Sequence, residues 1–179
     1  MEIKGTKIKL RSYEEKDYDV LRHWLKGDQE WKRTDGPYFA KPTDDEVEES
    51  ILKQIEKDKT SGAVPFRFAI ADIDTDELIG EVTRYWICKE TKWVAIGILI
   101  YDPALWGRGY ATEALSMWSD FLFDNMTDSW RFDLDTWSGN VGMMRVAEKI
   151  GYKLEGRFTN ARKVDGKYYD SVRYGKWRV

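Results

Sequence analysis

The segment of this chain best equipped for chemistry is Asp102 to Leu115, DPALWGRGYATEAL. An apolar run stops there at Asp102-Pro103, and a glycine pair, Gly107 and Gly109, opens directly into a helical pattern. Glycine lets the main chain approach a ligand closely, and the first N–H groups of a helix, with the positive end of its dipole, suit a pyrophosphate. Arg108 adds a fixed positive charge between the glycines. Two other phosphate motifs fail on spacing: a P-loop needs Gly-Lys-Ser/Thr, which is absent, and a dinucleotide fingerprint needs a third Gly or Ala where this chain has Thr112. One cysteine, Cys88, and one histidine, His23, leave no intrachain disulfide and no His/Cys set for zinc. His23 lies in an amphipathic helical pattern and reads as a packed or half-exposed imidazole.

The elements that must hold this loop follow from periodicity. Thr6, Ile8 and Leu10 alternate as a half-buried strand. Ser12 and Glu15 form a capping box for a first helix carrying Tyr18, Leu21, Trp24 and Leu25, and Thr43 and Glu46 repeat the box for a second, with Val47, Ile51 and Ile55 on one face and a stop at Ser61-Gly62. Phe66, Phe68 and Ile70 alternate into a turn at Asp74-Thr75-Asp76, and Leu78 to Trp86 completes a hairpin. Trp93 to Tyr101 is apolar on both faces, hence a central strand that delivers the chain to the glycine loop. The third helix, from Tyr110 to about Asn125, carries Leu115, Trp118, Leu122 and Phe123. A strand at Phe132, Leu134 and Thr136, a short helix from Asn140 to Ile150 closed by Gly151, and two strands around the turn dipeptide Asp165-Gly166 end the order.

Without repeat, linker or low-complexity tract, residues 1–179 read as a single domain. With 42% hydrophobic and 34% charged residues the chain can bury a core of its own. Its net charge of −3 gives no overall reason to bind nucleic acid, and the start, MEIKGTKIKLRS, has neither the apolar core of a signal peptide nor a stretch long enough to span a membrane. A cytoplasmic protein with neither nucleic-acid nor membrane partners is expected.

The loop resembles the pyrophosphate loop of the GNAT superfamily of N-acetyltransferases, commonly Gln/Arg-x-x-Gly-x-Gly/Ala, except that Ala104 stands at its first position. WGRGYATEA, NVGMMRVAEKIGY from Asn140 to Tyr152 and the ending DGKYYDSVRYG resemble, in order and spacing over residues 5 to 177, the subgroup containing the bacterial ribosomal-protein N-terminal (Rim-type) acetyltransferases. The resemblance implies an α+β GNAT fold: a mixed, mostly antiparallel sheet of about seven strands flanked by about four helices. The fourth and fifth strands splay apart, and the pantetheine arm of acetyl-CoA lies in the opening. Leu99, Ile100 and Tyr101 would offer it backbone partners, Trp106, Gly107, Arg108, Gly109, Tyr110, Ala111 and Thr112 would surround the pyrophosphate, and Asn140 would reach the arm. Asn140 reads equally well as a helix N-cap. No metal is implied.

The implied reaction is direct transfer of acetyl from acetyl-CoA to a primary amine in a ternary complex. A protein N-terminal amine is the leading acceptor, with polyamines, amino acids and aminoglycosides as alternatives. The family's usual acid and base positions are vacant: Ala95 stands for a Glu, Met143 for a Ser and Ala147 for a Tyr. Glu81 and Asp135, on strands bordering the splay, are the replacement candidates, each also readable as a solvated strand-face carboxylate. Deprotonation through a water chain is slightly favoured over either. The vacancies also motivate a different class, an acyl-CoA-binding sensor without turnover. Glu113 reads as a structural acid at a helix start. Trp31, Tyr38 and Phe39 fall where the family forms one acceptor wall, and a monomer or homodimer is expected.

Overall fold

The computed structural model describes residues 1–59 and 62–178. In chain order its elements are β1 (Glu2–Lys4), β2 (Ile8–Arg11), α1 (Asp17–Leu25), α2 (Asp44–Lys59), β3 (Arg67–Asp72), β4 (Leu78–Cys88), β5 (Trp93–Ile100), α3 (Tyr110–Asn125), β6 (Arg131–Trp137), α4 (Val141–Lys149), β7 (Lys153–Val164) and β8 (Lys167–Trp177). The strands form one sheet in the order β1-β2-β3-β4-β5-β6-β8-β7, antiparallel throughout except for the β5–β6 pair. The expected α+β class holds, with eight strands among the described residues where the pattern indicated one fewer. The addition is β1, whose single apolar Ile3 between charges carries no readable period; pairing with β2 makes it a strand.

Each face of the sheet buries a core. On one face α3 and α4 cover Val82, Ile96, Ile100, Phe132, Leu134, Val172 and Tyr174 with Leu115, Trp118, Leu122 and Ala147. On the other, α1 and α2 bring Leu21, Val47 and Ile51 against Ala69, Leu78 and Tyr101. Coverage on both sides explains why β3 is buried from Arg67 to Ala71 rather than alternating, while Phe66 is left outside the strand and exposed.

The helix starts divide. Thr43 and Glu46 form the expected box: the Thr43 N–H donates to Glu46 Oε2 at 2.8 Å, and the Glu46 N–H donates back to Thr43 Oγ1 at 3.3 Å. Replacing Thr43 by alanine is expected to lower stability by about 1 kcal/mol, the usual worth of such a cap; an unmoved urea midpoint would refute it. The expected stop at Ser61 lies outside the described residues. The Ser12–Glu15 box does not form. Instead Asp17 is buried, pairs through both oxygens with Arg11 (2.6 and 3.0 Å) and accepts the Glu14 N–H at 2.8 Å. That carboxylate closes the turn, so α1 begins later, after Lys16. Asp165 and Gly166 both have positive φ, as a two-residue hairpin turn requires.

The parallel pair matters most for function. β5 and β6 meet only at Val94 with Phe132 and Ala95 with Asp133, and beyond these the strands part, as expected between the two strands flanking α3. Across the open end the loop after α1 acts as a clasp. The Thr34 carbonyl accepts hydrogen bonds from Trp137 Nε1 at 2.9 Å and Asn140 Nδ2 at 3.2 Å, and Tyr38 packs edge-on against Trp137. Among the described residues no helix is long and apolar enough to cross a membrane, and no cluster of His, Cys, Asp or Glu is placed to hold a metal.

Candidate active site

The splay opens into a cleft of about 1240 Å³ that reaches both faces of the sheet. Its lining separates by strand parity, because successive side chains point to opposite faces. Glu81, Thr83 and Tyr85 of β4, Gly97 and Leu99 of β5, Asp135 and Trp137 of β6 and Arg173 of β8 line the face under the clasp. Ile96, Ile98 and Ile100 line the other, together with the start of α3 and the exposed side of α4.

On the helix face the glycine loop opens into the cleft. Gly107 and Gly109 have φ of +72° and +90°, and nothing lies within 4 Å of where a Gly107 Cβ would stand. A left-handed Gly109 precedes α3 and its carbonyl takes the Glu113 N–H, so the N–H groups of Tyr110, Ala111 and Thr112 lack intrahelical acceptors. Trp106 ties the loop to the strand: its indole N–H donates to the Ile100 carbonyl at 3.0 Å. The cations lining this half are Arg108, Arg145 and Lys149, with no carboxylate among its lining residues. Open glycines, free helix N–H groups and uncompensated positive charge fit the pyrophosphate of coenzyme A.

The strand contribution needs correction. Tyr101 donates its N–H to the Ile79 carbonyl at 3.0 Å and is fully buried in the core beneath α1 and α2, outside the cleft lining. In an antiparallel ladder hydrogen-bonding direction alternates, so Leu99, paired with Glu81, also turns its main chain toward β4. Ile98 and Ile100 therefore face the splay with their N–H groups, and Ile100 alone of the three expected residues offers a main-chain donor there. Leu99 contributes its side chain. Asn140 likewise spends its amide on structure: Oδ1 caps α4 by accepting the Met143 N–H at 3.0 Å, while Nδ2 holds Thr34. It lines the cleft as a cap and clasp.

On the clasp face both candidate carboxylates line the cleft, in different states. Asp135 is held by the Arg173 guanidinium at 2.6 and 2.8 Å, both oxygens engaged. Glu81 is one-fifth exposed; its Oε2 accepts from Tyr13 Oη at 2.9 Å and faces Arg67 Nη1 at 3.4 Å, leaving Oε1 without a hydrogen bond among the described residues. Burial is the main influence on Glu81 and raises its pKa, against the lowering by Arg67 and Tyr13. Neither is a freely solvated strand-face carboxylate. Ala95 and Ala147 are fully buried, so those two vacant family positions are filled by packing, whereas Met143 is half-buried and lines the cleft.

Sequence reading missed Asp35, Tyr85, Trp137 and Arg162, all in the cleft lining. Asp35 is open to solvent in part, yet desolvation on the cleft side pushes its carboxyl up. Arg162 stacks 4.5 Å from the Tyr38 ring centre. Only the Thr34-Asp35-Gly36 turn signal could have drawn attention to Asp35. Of the aromatics expected on the acceptor wall, Tyr38 and Phe39 line the cleft, whereas Trp31 is core and donates its indole N–H to the Trp24 carbonyl at 2.9 Å. Glu113 is structural, as expected, accepting main-chain N–H groups from Thr6 and Lys7.

The sheet thus opens at one parallel pair, with a glycine-flanked helix start on one face and carboxylates on the other. A family model described as "Acetyltransferase (GNAT) domain" matches residues 7–153, and the chain belongs to that family, whose members use acetyl-CoA. It is 30% identical over 118 residues to the probable N-acetyltransferase YjcK of Bacillus subtilis (strain 168), a match covering 66% of this chain and 62% of that protein. The spermidine N-acetyltransferase of Vibrio cholerae, solved with CoA and spermine, superposes with a TM-score of 0.76 at 21% identity, covering 97% of this chain and 96% of that one. The ribosomal-protein-S5-alanine acetyltransferase of Vibrio fischeri does so with a TM-score of 0.74 at 17% identity, covering 99% and 96%.

Proposed function

We propose that this protein transfers the acetyl group of acetyl-CoA to a primary amine by direct attack within a ternary complex, with a protein N-terminal amine as the leading acceptor. The carrying observation is the cleft that passes through the splay, with phosphate-binding groups on one face and the carboxylates on the other. Acetyl-CoA, when bound, supplies a thioester as the acyl donor. Gly107 to Thr112 would hold its pyrophosphate, and the outward N–H groups of Ile98 and Ile100 are the donors available to an acyl oxygen gaining charge. The amine must arrive neutral. An α-amine of pKa about 8 is roughly one-tenth neutral at pH 7, a lysine amine under about one part in a thousand. Glu81 is the better-suited base: its Oε1 is unbonded and burial raises its proton affinity, whereas both oxygens of Asp135 are held by Arg173. This replaces the slight preference for a water chain alone.

An acceptor screen with acetyl-CoA tests the reading, using peptides with free N-termini, polyamines, amino acids and aminoglycosides. Turnover with intersecting initial-velocity lines is expected; coenzyme A binding without turnover on any amine would replace it with the sensor reading. Polyamine turnover without peptide turnover would keep the reaction and overturn the N-terminal acceptor. Direct attack also implies that Cys88→Ala keeps kcat within about twofold. Cys88 ends β4, its thiol lies 3.5 Å from Glu90, and it does not line the cleft. An acetylated Cys88 trapped during turnover would contradict direct attack.

A further inference from the structure

The β1–β2 turn, remote in sequence from the glycine loop, is pressed against it. Glu113 Oε1 accepts the Lys7 N–H at 3.0 Å and the Thr6 N–H, fixing the turn on the first turn of α3. The fit is close enough that a Cβ on Gly5 would meet Glu113 Oε1 at 2.2 Å and Met117 Sδ at 2.7 Å. This mooring carries the Lys7 side chain over the loop. Its Nζ donates to the Arg108 carbonyl at 2.7 Å, lies 5.9 Å from the Tyr110 ring centre and would stand 3.5 Å from a Cβ on Gly109. No carboxylate pairs with Lys7 among the described residues. An ammonium has three donors and the Arg108 carbonyl uses one, so two remain beside the free N–H groups at the start of α3. A long side chain loses rotamer freedom by folding onto a main-chain carbonyl, and here that places an unneutralised charge at the point where the loop and the helix start both favour an anion.

We propose that Lys7 binds the coenzyme A pyrophosphate and that Glu113 is the positioning residue that delivers it. The proposal rests on the assignment of Gly107 to Thr112 to the pyrophosphate. Calorimetry on the full chain with CoA, 3′-dephospho-CoA and pantetheine tests it without reference to turnover. Lys7→Met is expected to weaken CoA and dephospho-CoA equally, by about tenfold, the low end for one hydrogen bond to a charged group. Pantetheine, which lacks the phosphates, should bind the variant as it binds the parent. Lys7→Arg should recover most of the loss, and Glu113→Gln should show part of it. Unchanged CoA affinity in a folded Lys7→Met protein would overturn the proposal, as would a loss seen with CoA but not dephospho-CoA, which would place Lys7 on the ribose phosphate. If Gly109→Val weakens binding while Lys7→Met does not, this proposal fails and the loop assignment stands; if neither does, the loop assignment itself fails.

Discussion

Glu81→Gln is expected to lower kcat by about a hundredfold while leaving the affinity for acetyl-CoA unchanged, the loss typical of removing a general base. The substitution keeps the shape of the side chain and its place beside Tyr13 and Arg67, so fold and cofactor binding should survive. The pH profile carries the sharper signature. A base must be unprotonated to act, so the rate should fall as pH drops through the Glu81 pKa, which burial raises above the ordinary carboxylate value. In the glutamine variant that limb should vanish and leave only the titration of the acceptor amine. Asp135→Asn should cost less than about tenfold, because Arg173 already occupies both of its oxygens. A Glu81→Gln enzyme retaining more than a tenth of its turnover would return the proton to a water chain.

Gly109→Val is expected to weaken acetyl-CoA binding at least about thirtyfold, measured by calorimetry on a folded variant. Two costs combine. A φ of +90° is strained for any side chain and most of all for a β-branched one, so the loop would shift to relieve it. The added methyl groups would also enter the space between the free N–H groups of α3 and Lys7, where a phosphate belongs. Affinity within threefold of the parent would remove the glycine loop from the cofactor site.

Features encoded within a few residues were legible in the sequence. Thr43 and Glu46 cap the same helix, Asp165-Gly166 turns the last hairpin, and the Gly-x-Gly pair opens α3, because in each case neighbouring residues decide the outcome. Most of the misses depend on a partner distant in the chain, and one on a competing local pair. Ser12 and Glu15 had the spacing of a box, but Arg11 needed a buried counter-charge and Asp17 supplied it. Tyr101 lay on the strand before the loop, yet which residues of that strand face the splay is a matter of register with β4, and register shifts by one residue reverse the answer. Lys7 looked like any exposed lysine until the β1–β2 turn was docked on α3. Glu81 and Asp135 both stand out in the sequence and both line the cleft, but only the positions of Arg67 and Arg173 distinguish them.

The Thr34 clasp lies over one face of the opened sheet and the start of α3 borders the other, so the cleft lining divides between two sides. Traffic can then run on separate routes. Under the proposed reaction, spent coenzyme would leave on the helix side while an acceptor stays seated on the other, so a molecule with several amines would be open to a second modification without first departing. A long acceptor need admit only its reactive tip, and its remaining bulk can stay outside, where it never competes with the coenzyme for space.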